Sequence, residues 1–489
     1  MNIKIELISE SDLADESFNI VIDGLKPREI YRVEMYLSDY YCINAPMLLA
    51  HDVLWKSAAT FVSDKNGIID ISQTPSCSGS YEDIATMGLF FNAKPLTNRK
   101  KKLPNSLSKI PLLDHFFVEI KIIQGNTVVA ERTFTRHYMS SQISHQDIYG
   151  KHFQGRLFYD KKAIKAPALI IVSGSEGRIE KAQNIAQLLS SRGYICLAVA
   201  YFGLEGLPKH LERIPLECLV EAKDYLRQHP QVDSERIGLY GRSKGAELVL
   251  AEESIFNDVQ CLVLNSPSDV VYEGIKGKWN SHTSSWTYLQ KELPYQKFRL
   301  RDYLFSKLLK KSFPKDCSAR IDIGQMHSPI LLLGSTVDEI WDASSAIDKI
   351  VSHYKGHHIT FKKYHETGHM LTVAYQPNHR YRKDWRLLMK ESKDSWLATI
   401  HFFDRHLKKQ YYKSYGNDIK SNSFPLLMGS YSERFCSVLP AIKIESQFVF
   451  FYWGKLIFMK NTVNLFHPST WTLILTTYPQ KPFFKRLFC

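Results

Sequence analysis

The stretch from Ile237 to Leu248, IGLYGRSKGAEL, decides the fold prediction. It begins as a short apolar run, which is typical of a buried strand, and it ends as a helix-forming sequence. Between them, residues 241–245 fit the pattern Gly-x-Ser-x-Gly. A serine on so tight a strand-to-helix turn needs neighbours with almost no side chain two positions away. We therefore predict that Ser243 is a catalytic nucleophile and that Gly241 and Gly245 shape its turn. The alternative is a serine that caps a helix after a glycine turn.

The sequence around this motif, from about residue 150 to 410, alternates apolar runs with amphipathic segments. This alternation predicts a doubly wound, mostly parallel sheet with helices on both faces. Residues 271–325 interrupt it with a polar, aromatic-rich insertion, which is typical of a lid or a substrate-binding element. Besides the strand before Ser243, the pattern predicts strands at 168–172, 195–199, 261–264 and 330–333, and helices at 179–191, from Pro215 and at 396–407.

A serine hydroxyl needs a base, and the base needs a carboxylate that orients it. In this type of fold the order along the chain is Ser, Asp, His. Asp338 follows an apolar strand, so we expect it at the carboxyl edge of the sheet, with Glu339 and Asp342 as rivals. His369 follows a glycine that frees the backbone for a close approach, and His365 is the competing histidine.

The oxyanion formed by nucleophilic attack requires preorganised N–H donors. We expect one donor at the backbone of Lys244 and the other in the glycine-rich loop 173–177, at Ser175 or Glu176. The same loop is compatible with a phosphate cradle, but its spacing fits neither nucleotide-binding fingerprint. The histidines and cysteines show no metal-ligand spacing, so we predict neither a metal nor a cofactor.

The two ends of the chain differ from this central region. Residues 1–140 contain short alternating segments between turns, and residues 116–134 have the pattern of a β-hairpin. We predict a small β-sandwich of immunoglobulin-like type there. Residues 411–489 fit neither domain; their aromatic clusters follow no clean period, and we expect an extension of unknown role that is poorly ordered.

Composition limits the classes of protein that this chain can represent. The 489 residues carry a net charge of +13, with basic clusters at residues 99–102, 307–315 and 380–386. No nucleic-acid recognition motif accompanies these clusters, so we predict solvated basic faces or weak steering of a polyanionic small molecule. Eight scattered cysteines predict reduced thiols. The sequence has no apolar run long enough for a transmembrane helix and no apolar signal core, so a cytoplasmic location is expected by default.

With these residues in place, the chain resembles the family of acyl-CoA thioesterases and bile acid-CoA:amino acid N-acyltransferases over about residues 1 to 410. This resemblance implies an N-terminal β-sandwich followed by an α/β-hydrolase domain, and acyl-CoA as the substrate. The motifs that carry it are the stretch 200–217 (AYFGLEGLPKHLERIPLE), the elbow 241–248, Gly368-His369 with Tyr375 and Pro377 downstream, and, in the first domain, 55–61 (WKSAATF), 79–81 and 87–89.

Two departures from the family pattern stand out. The family usually has two prolines where this chain has Val373 and Ala374, so the segment after His369 is expected to be less rigid. The tail after about residue 410 has no counterpart in the family pattern.

The nucleophile separates the two activities that the resemblance implies. The amino-acid-conjugating members carry cysteine at the elbow, whereas this chain has Ser243, which favours acyl-CoA hydrolysis. The alternatives are another ester or dienelactone-type hydrolase, an amino acid N-acyltransferase, and a binding or scaffold module that lacks catalysis.

Overall fold

The computed structural model describes residues 2–297, 316–369, 371, 373–378 and 384–408, and it describes residues 447–452 and 455–460 as backbone strands. The chain divides into two compact units, Met1–Tyr412 and Lys413–Cys489. The first unit contains the N-terminal region and the region around Ser243.

The N-terminal region consists of two antiparallel sheets with orders β1-β2-β5 and β6-β4-β3-β8-β9, and β7 pairs with β4. Along the strands, apolar residues alternate with exposed ones, and the apolar faces of both sheets contribute to one core. The predicted β-sandwich is therefore confirmed. Its strands are β1 (Lys4–Ser9), β2 (Phe18–Asp23), β3 (Ile30–Ser38), β4 (Trp55–Val62), β5 (Ile69–Asp70), β6 (Ser78–Gly79), β7 (Lys94–Pro95), β8 (His115–Gln124) and β9 (Thr127–His137), with helix α1 (Gly88–Phe91) and a 3-10 turn (Leu107–Lys109).

The predicted hairpin is formed by β8 and β9. Its turn is Gly125-Asn126, and Gly125 has a φ of +59°, a backbone conformation that glycine adopts without steric cost. The pairing continues to His115 and His137, so both strands extend beyond the predicted hairpin.

The second region alternates strands and helices, as the sequence pattern predicts. Its strands are β10 (Ile143–Tyr149), β11 (Gln154–Asp160), β12 (Ala166–Val172), β13 (Ile195–Ala200), β14 (Ile214–Pro215), β15 (Val232–Arg242), β16 (Cys261–Asn265), β17 (Glu273–Lys276), β18 (Trp279–Ser284), β19 (Trp286–Tyr288), β20 (Lys291–Glu292), β21 (Ile330–Ser335) and β22 (Ile359–Tyr364). Its helices are α2 (Glu180–Ser190), α3 (Glu217–Gln228), α4 (Lys244–Phe256), α5 (Ala343–His353) and α6 (Trp385–Leu407), with a 3-10 turn at Cys317–Ala319.

Eight of these strands form one sheet in the order β10-β11-β13-β12-β15-β16-β21-β22. Only β11 runs against the others, since it pairs antiparallel with both β10 and β13, while all remaining neighbours are parallel. The central strands are buried on both faces, which explains their continuous apolar runs. The doubly wound, mostly parallel α/β-hydrolase fold is confirmed.

Two predicted helix starts are wrong. Pro215 lies in the short strand β14, and helix α3 begins at Glu217. The last helix, α6, begins at Trp385 rather than at residue 396, and the Asp384 side chain caps it by accepting from the backbone N–H of Arg386 and Leu387. Its first turns have no clean amphipathic period because the polar Glu391 faces inward, so the sequence pattern concealed them.

The described part of the insertion at 271–325 contributes strands to two small sheets. One is the hairpin of β17 and β18, and the other has the order β14-β19-β20. Residues 298–315, which include the basic cluster 307–315, lie outside the described residues. Most of the basic cluster at 380–386 does so as well.

The N-terminal region packs directly on helix α2. The side-chain amides of Gln183 and Gln187 donate to the carbonyls of Pro111 and Leu113 at 3.2 and 2.7 Å. These contacts bury the polar side of α2, which an isolated domain would expose to water, so every residue of the helix is buried. Trp396 on α6 adds a second link, because its indole N–H donates to Asp15 at 2.6 Å.

The second unit contributes one described element, a hairpin of β23 (Gln447–Tyr452) and β24 (Lys455–Lys460). The sequence analysis did not predict this hairpin, and the rest of the tail, including Cys436 and Cys489, lies outside the described residues. The division at about residues 140–150 and 411 stays a prediction. Across the described ranges, no helix combines the length and apolarity that crossing a membrane would require.

Candidate active site

Ser243 lies on the turn between β15 and α4, at the carboxyl edge of the sheet. Its backbone has φ +56° and ψ −123°, a strained conformation for a residue with a side chain. A Cβ on Gly241 would meet the carbonyl oxygen of Gly245 at 2.5 Å, and a Cβ on Gly245 would meet that of Ser173 at 2.3 Å. Because neither contact is possible for a real Cβ, both positions require glycine, as the pattern predicted.

The structure brings Ser243, His369 and Asp338 together. His369 Nε2 lies 2.8 Å from the Ser243 hydroxyl, and His369 Nδ1 lies 2.8 Å from an Asp338 carboxylate oxygen. The Asp338 side chain is only 1% exposed, and its other oxygen accepts from the backbone N–H of Ile340 and Trp341. This arrangement favours the tautomer with the proton on Nδ1, so that Nε2 can accept the serine proton.

The rival residues occupy other positions. Asp342 caps helix α5 by accepting from the backbone N–H of Ser345. Glu339 accepts from the backbone N–H of His369 at 3.2 Å and therefore contacts the peptide rather than the imidazole. His365 is exposed, and its Nδ1 lies 2.9 Å from the Thr336 hydroxyl.

Buried polar side chains fix the segment that carries His369. Asn265 donates to the Leu371 carbonyl at 2.7 Å, and the Ser266 hydroxyl donates to the His369 carbonyl at 3.2 Å. Glu391 on α6 accepts three consecutive backbone N–H groups, those of residues 365–367, at 2.8 to 3.1 Å. The role of these residues is not apparent from the sequence, in which the one available signal is a polar pair, Asn265-Ser266, at the end of a buried strand.

The loop predicted to complete the oxyanion hole lies against the elbow. A Cβ on Gly174 would lie 3.0 Å from both the Ser243 Cβ and a Glu176 carboxylate oxygen. The Lys244 N–H is the first of α4 and therefore has no acceptor within its helix. Ser175 is exposed, whereas the N–H of Glu176 faces its own carboxylate. The backbone N–H groups of Lys244 and of Ser175 or Glu176 stay the predicted oxyanion donors. Of the latter two, Ser175 is the better candidate, because the N–H of Glu176 faces its own carboxylate.

The charge of Glu176 beside the elbow is compensated. Burial raises the pKa of this carboxyl, but the charges of Arg242 and Lys181 and the Ser173 hydroxyl outweigh burial and lower the pKa to about 2. Arg242 donates to it at 3.1 Å, and the Lys181 ammonium lies 3.6 Å away. Glu176 is therefore an anion at neutral pH, held by two cations.

Aromatic side chains flank the imidazole. Trp341 meets His369 edge-on, with ring centroids 5.1 Å apart, and its indole N–H donates to the Ser266 carbonyl. The ring of Tyr272, at the start of the insertion, stacks on Trp341 at 5.5 Å and 11°. These rings restrict the orientations open to His369, and neither residue was singled out from the sequence.

The insertion is anchored to α4, the helix that follows Ser243. The Lys244 ammonium donates to Glu247 at 2.8 Å and to the Ser285 hydroxyl at 2.7 Å. Trp286, fully buried, donates from its indole to the same Glu247 oxygen at 2.8 Å. The side chain of Lys244 is thus a structural anchor, which leaves only its backbone N–H for the oxyanion.

In the described ranges, no group of three or more His, Cys, Asp or Glu side chains is arranged to bind a metal ion. Cys196, Cys218 and Cys261 are buried free thiols whose pKa values burial raises, so they stay protonated.

Comparisons with known proteins agree with this architecture. The family profile described as "Acyl-CoA thioester hydrolase/BAAT N-terminal region" matches residues 15–149, and the one described as "BAAT / Acyl-CoA thioester hydrolase C terminal" matches residues 214–409. A solved structure, a putative dienelactone hydrolase from Klebsiella pneumoniae, aligns with 54% of this chain and 99% of its own at 15% identity, with a TM-score of 0.38. A TM-score this low does not establish a shared fold, so the fold class is assigned from the strand order.

Curated relatives include both kinds of enzyme. Mouse acyl-coenzyme A thioesterase 1 is 26% identical over 382 residues, which is 74% of this chain and 84% of the relative. The mouse peroxisomal succinyl-coenzyme A thioesterase is 25% identical over 429 residues, or 80% and 94%. Mouse acyl-coenzyme A amino acid N-acyltransferase 1 is 28% identical over 259 residues, or 51% and 58%.

Fold and site together define an α/β-hydrolase. The two family profiles that match this chain jointly cover more than half of it. The chain therefore belongs to the acyl-CoA thioesterase and bile acid-CoA:amino acid N-acyltransferase family, and it is an enzyme of that family.

Proposed function

We propose that the protein hydrolyses acyl-CoA thioesters to a free carboxylic acid and coenzyme A through an acyl-serine on Ser243. The observation that carries the proposal is the continuous hydrogen-bonded chain from Ser243 through His369 to Asp338, with 2.8 Å at each step. A binding or scaffold module would have no need of a serine, an imidazole and a buried carboxylate aligned in this order.

The first half-reaction transfers the acyl group to the enzyme. The Ser243 oxygen attacks the thioester carbonyl while its proton moves to His369 Nε2, and Asp338 stabilises the imidazolium. The tetrahedral oxyanion accepts from the N–H of Lys244 and from the loop 173–177. When the intermediate collapses, the C–S bond breaks and the sulfur leaves as the thiol with the proton from His369.

The second half-reaction regenerates the enzyme. Neutral His369 takes a proton from water, whose oxygen attacks the acyl-serine carbonyl, and the same donors hold the second oxyanion. Collapse breaks the ester C–O bond and returns the proton to Ser243, which releases the carboxylic acid. No metal or cofactor takes part in these steps.

Acyl transfer to an amine is the second candidate, because N-acyltransferases are among the relatives. Against it stands the nucleophile, since the family members that conjugate amino acids resemble this pattern but carry cysteine. We expect Ser243→Cys to form some acyl-glycine or acyl-taurine if an amine site exists, because a thioester intermediate reacts with amines more readily than an oxygen ester does. If only hydrolysis is found, the site lacks an amine acceptor.

The proposal is tested with acyl-CoA esters of varied chain length, assayed for free thiol, together with a fluorophosphonate label. The parent is expected to release thiol and to be labelled, and Ser243→Ala is expected to do neither. A matched control is Ser254→Ala. Ser254 lies on α4, the helix that begins after Ser243, and its hydroxyl donates to the Ala251 carbonyl. If the parent releases thiol from none of the acyl-CoA esters but hydrolyses simple oxygen esters, the esterase or dienelactone-type alternative replaces the proposal.

A further inference from the structure

A cavity of about 400 Å³ lies between the N-terminal sandwich and the second region, apart from the Ser243 turn. Apolar side chains such as Pro46, Met47 and Leu49 form most of its wall, and Asn44, Asn98 and Lys181 add polar groups. Its size is within the usual range of small-molecule sites.

Two of the lining residues connect this cavity to the segments around Ser243 and His369. Lys181, on its wall, lies 3.6 Å from the Glu176 carboxylate of the loop that contacts Ser243. Pro377, another lining residue, belongs to the segment after His369, and its carbonyl accepts from the Asn44 amide at 3.3 Å. A molecule in the cavity therefore adjoins the loop that faces the nucleophile and the segment of the base that protonates the leaving group.

We call the basic segment Arg99–Lys102 the rim of the cavity, because it directly follows the lining residue Asn98. It is held there by backbone hydrogen bonds, since Ala50 donates to the Arg99 carbonyl at 2.9 Å and Lys101 donates to the Leu48 carbonyl at 2.8 Å. Lys100 pairs directly with Leu49 in an antiparallel bridge, so both side chains are on one face, and Leu49 lines the cavity.

The four cationic side chains of this segment have different surroundings. Arg99 pairs with Asp52, and Lys101 contacts His51, whereas Lys100 and Lys102 are exposed to solvent. Two exposed ammonium groups beside a cavity form a site that is complementary to phosphate.

We propose that this cavity binds the leaving-group arm of the thioester, a chain of methylenes and amides that ends in phosphates. The inference rests on the proposed function. The amides of the arm meet Asn44 and Asn98, its methylenes contact the apolar wall, and its phosphates reach Lys100 and Lys102.

An acyl chain fits this cavity less well. Glu176 belongs to the loop beside Ser243 and Lys181 lines the cavity, so their ion pair lies between the two, and an alkyl chain laid against those charges would remove them from water without offering hydrogen bonds. A chain with amide groups offers such hydrogen bonds to the same charges.

The experiment reverses the rim charge with Lys100→Glu combined with Lys102→Glu. Two substrates with the same acyl group are compared, decanoyl-CoA and decanoyl-N-acetylcysteamine, which keeps the thioester and lacks the phosphates. For decanoyl-CoA we expect KM to rise by about tenfold or more at low salt with kcat little changed, and the difference to shrink at high salt. For decanoyl-N-acetylcysteamine we expect no change.

The matched control is Lys161→Glu with Lys162→Glu, which makes the same charge change on the exposed turn between β11 and β12, at the opposite edge of the sheet. This variant is expected to keep the parent KM for both substrates. Equal effects of the two double variants, or equal effects on both substrates, would overturn the inference.

Two further measurements separate the remaining outcomes. Calorimetric titration with coenzyme A alone, independent of turnover, should show a Kd raised about tenfold or more in the rim variant. Asn98→Trp, which fills the cavity from an exposed position, should raise KM for all acyl-CoA chain lengths alike. If it instead shortens the longest acyl chain accepted, the cavity holds the acyl group and the inference is wrong.

Failure of the parent to hydrolyse either thioester would overturn the proposed function, whereas a Kd for coenzyme A unchanged by the rim variant would overturn the inference alone.

Discussion

The Gln376 side chain accepts a hydrogen bond from the backbone N–H of Ile43 at 2.7 Å, although the two residues are 333 positions apart. Its amide also donates to Asn184 on α2 at 3.2 Å, and the residue is buried. One glutamine thus ties the segment after His369 to the N-terminal sandwich and to a helix of the main sheet. We therefore expect the sandwich to help position His369, the proposed catalytic base.

Gln376→Ala should lower both stability and kcat. The change leaves the buried Ile43 N–H without its acceptor, which costs about 1–3 kcal/mol, and it releases the segment that carries His369. The matched control is Gln183→Ala, another buried glutamine at the same interface that contacts Pro111 and Arg156 instead. Both should lower Tm, but only Gln376→Ala should lower kcat. Equal kcat values in the two variants would show that the link is structural only.

Asp338→Asn should reduce kcat by about 10³- to 10⁴-fold, because an amide no longer holds the required His369 tautomer or stabilises the imidazolium. Glu339→Gln keeps an acceptor for the His369 N–H, and Asp342→Asn keeps a helix cap, so each should stay within about tenfold of the parent. Steady-state rates on one acyl-CoA would check this order. A larger loss at Glu339 or Asp342 would assign the orienting role to that residue.

Glu252→Gln should change the pH dependence of stability. Burial raises the pKa of Glu252 to about 7, although the Lys223 ammonium 2.6 Å away opposes the shift. A carboxyl whose folded-state pKa is above its unfolded value stabilises the fold while protonated, and that contribution is lost as pH rises towards and through 7. The Tm of Glu252→Gln relative to the parent should therefore increase from about pH 5 to pH 8.

The control for that titration is Asp224→Asn, an exposed carboxylate on helix α3 that pairs with Arg227. Its Tm difference from the parent should be the same throughout this pH range. A constant difference for Glu252→Gln as well would show that Glu252 does not titrate there.

Truncation after Gln410 should leave Tm and activity essentially unchanged and improve solubility. The last helix already seals the sheet, since Leu407 is fully buried against Gly238 and its carbonyl accepts from Arg236 at 2.9 Å. Residues 413–489 form a separate compact unit. A Tm lower by several degrees would place the tail in the core and move the predicted domain boundary.

The sequence predicted those features that local patterns encode. The apolar runs of β12, β15 and β16, the glycines at 241 and 245 and the hairpin at 116–134 depend on neighbours in the chain, and the structure has them. The positions of Ser243, Asp338 and His369 at three strand ends followed from the expected order of a parallel sheet.

Contacts between distant segments were not predictable in the same way. Glu391 interrupts the amphipathic period of α6 because it binds the backbone before His369, and this contact hid the first turns of the helix. Lys244 and Trp286 join through Glu247, a buried polar cluster that a hydrophobic pattern does not reveal. The sequence also predicts a less rigid segment at Val373 and Ala374. The almost complete burial of both side chains does not support this prediction.

The most direct test of the account is the rate of thiol release from one acyl-CoA by the parent and by Ser243→Ala, with folding verified by equal Tm. Removing the nucleophile of a triad leaves only the oxyanion donors and substrate binding, so we expect kcat to fall by about 10⁴-fold or more. A variant that retains a rate within about tenfold of the parent would contradict the assignment of Ser243 as the nucleophile, and with it the acyl-serine mechanism.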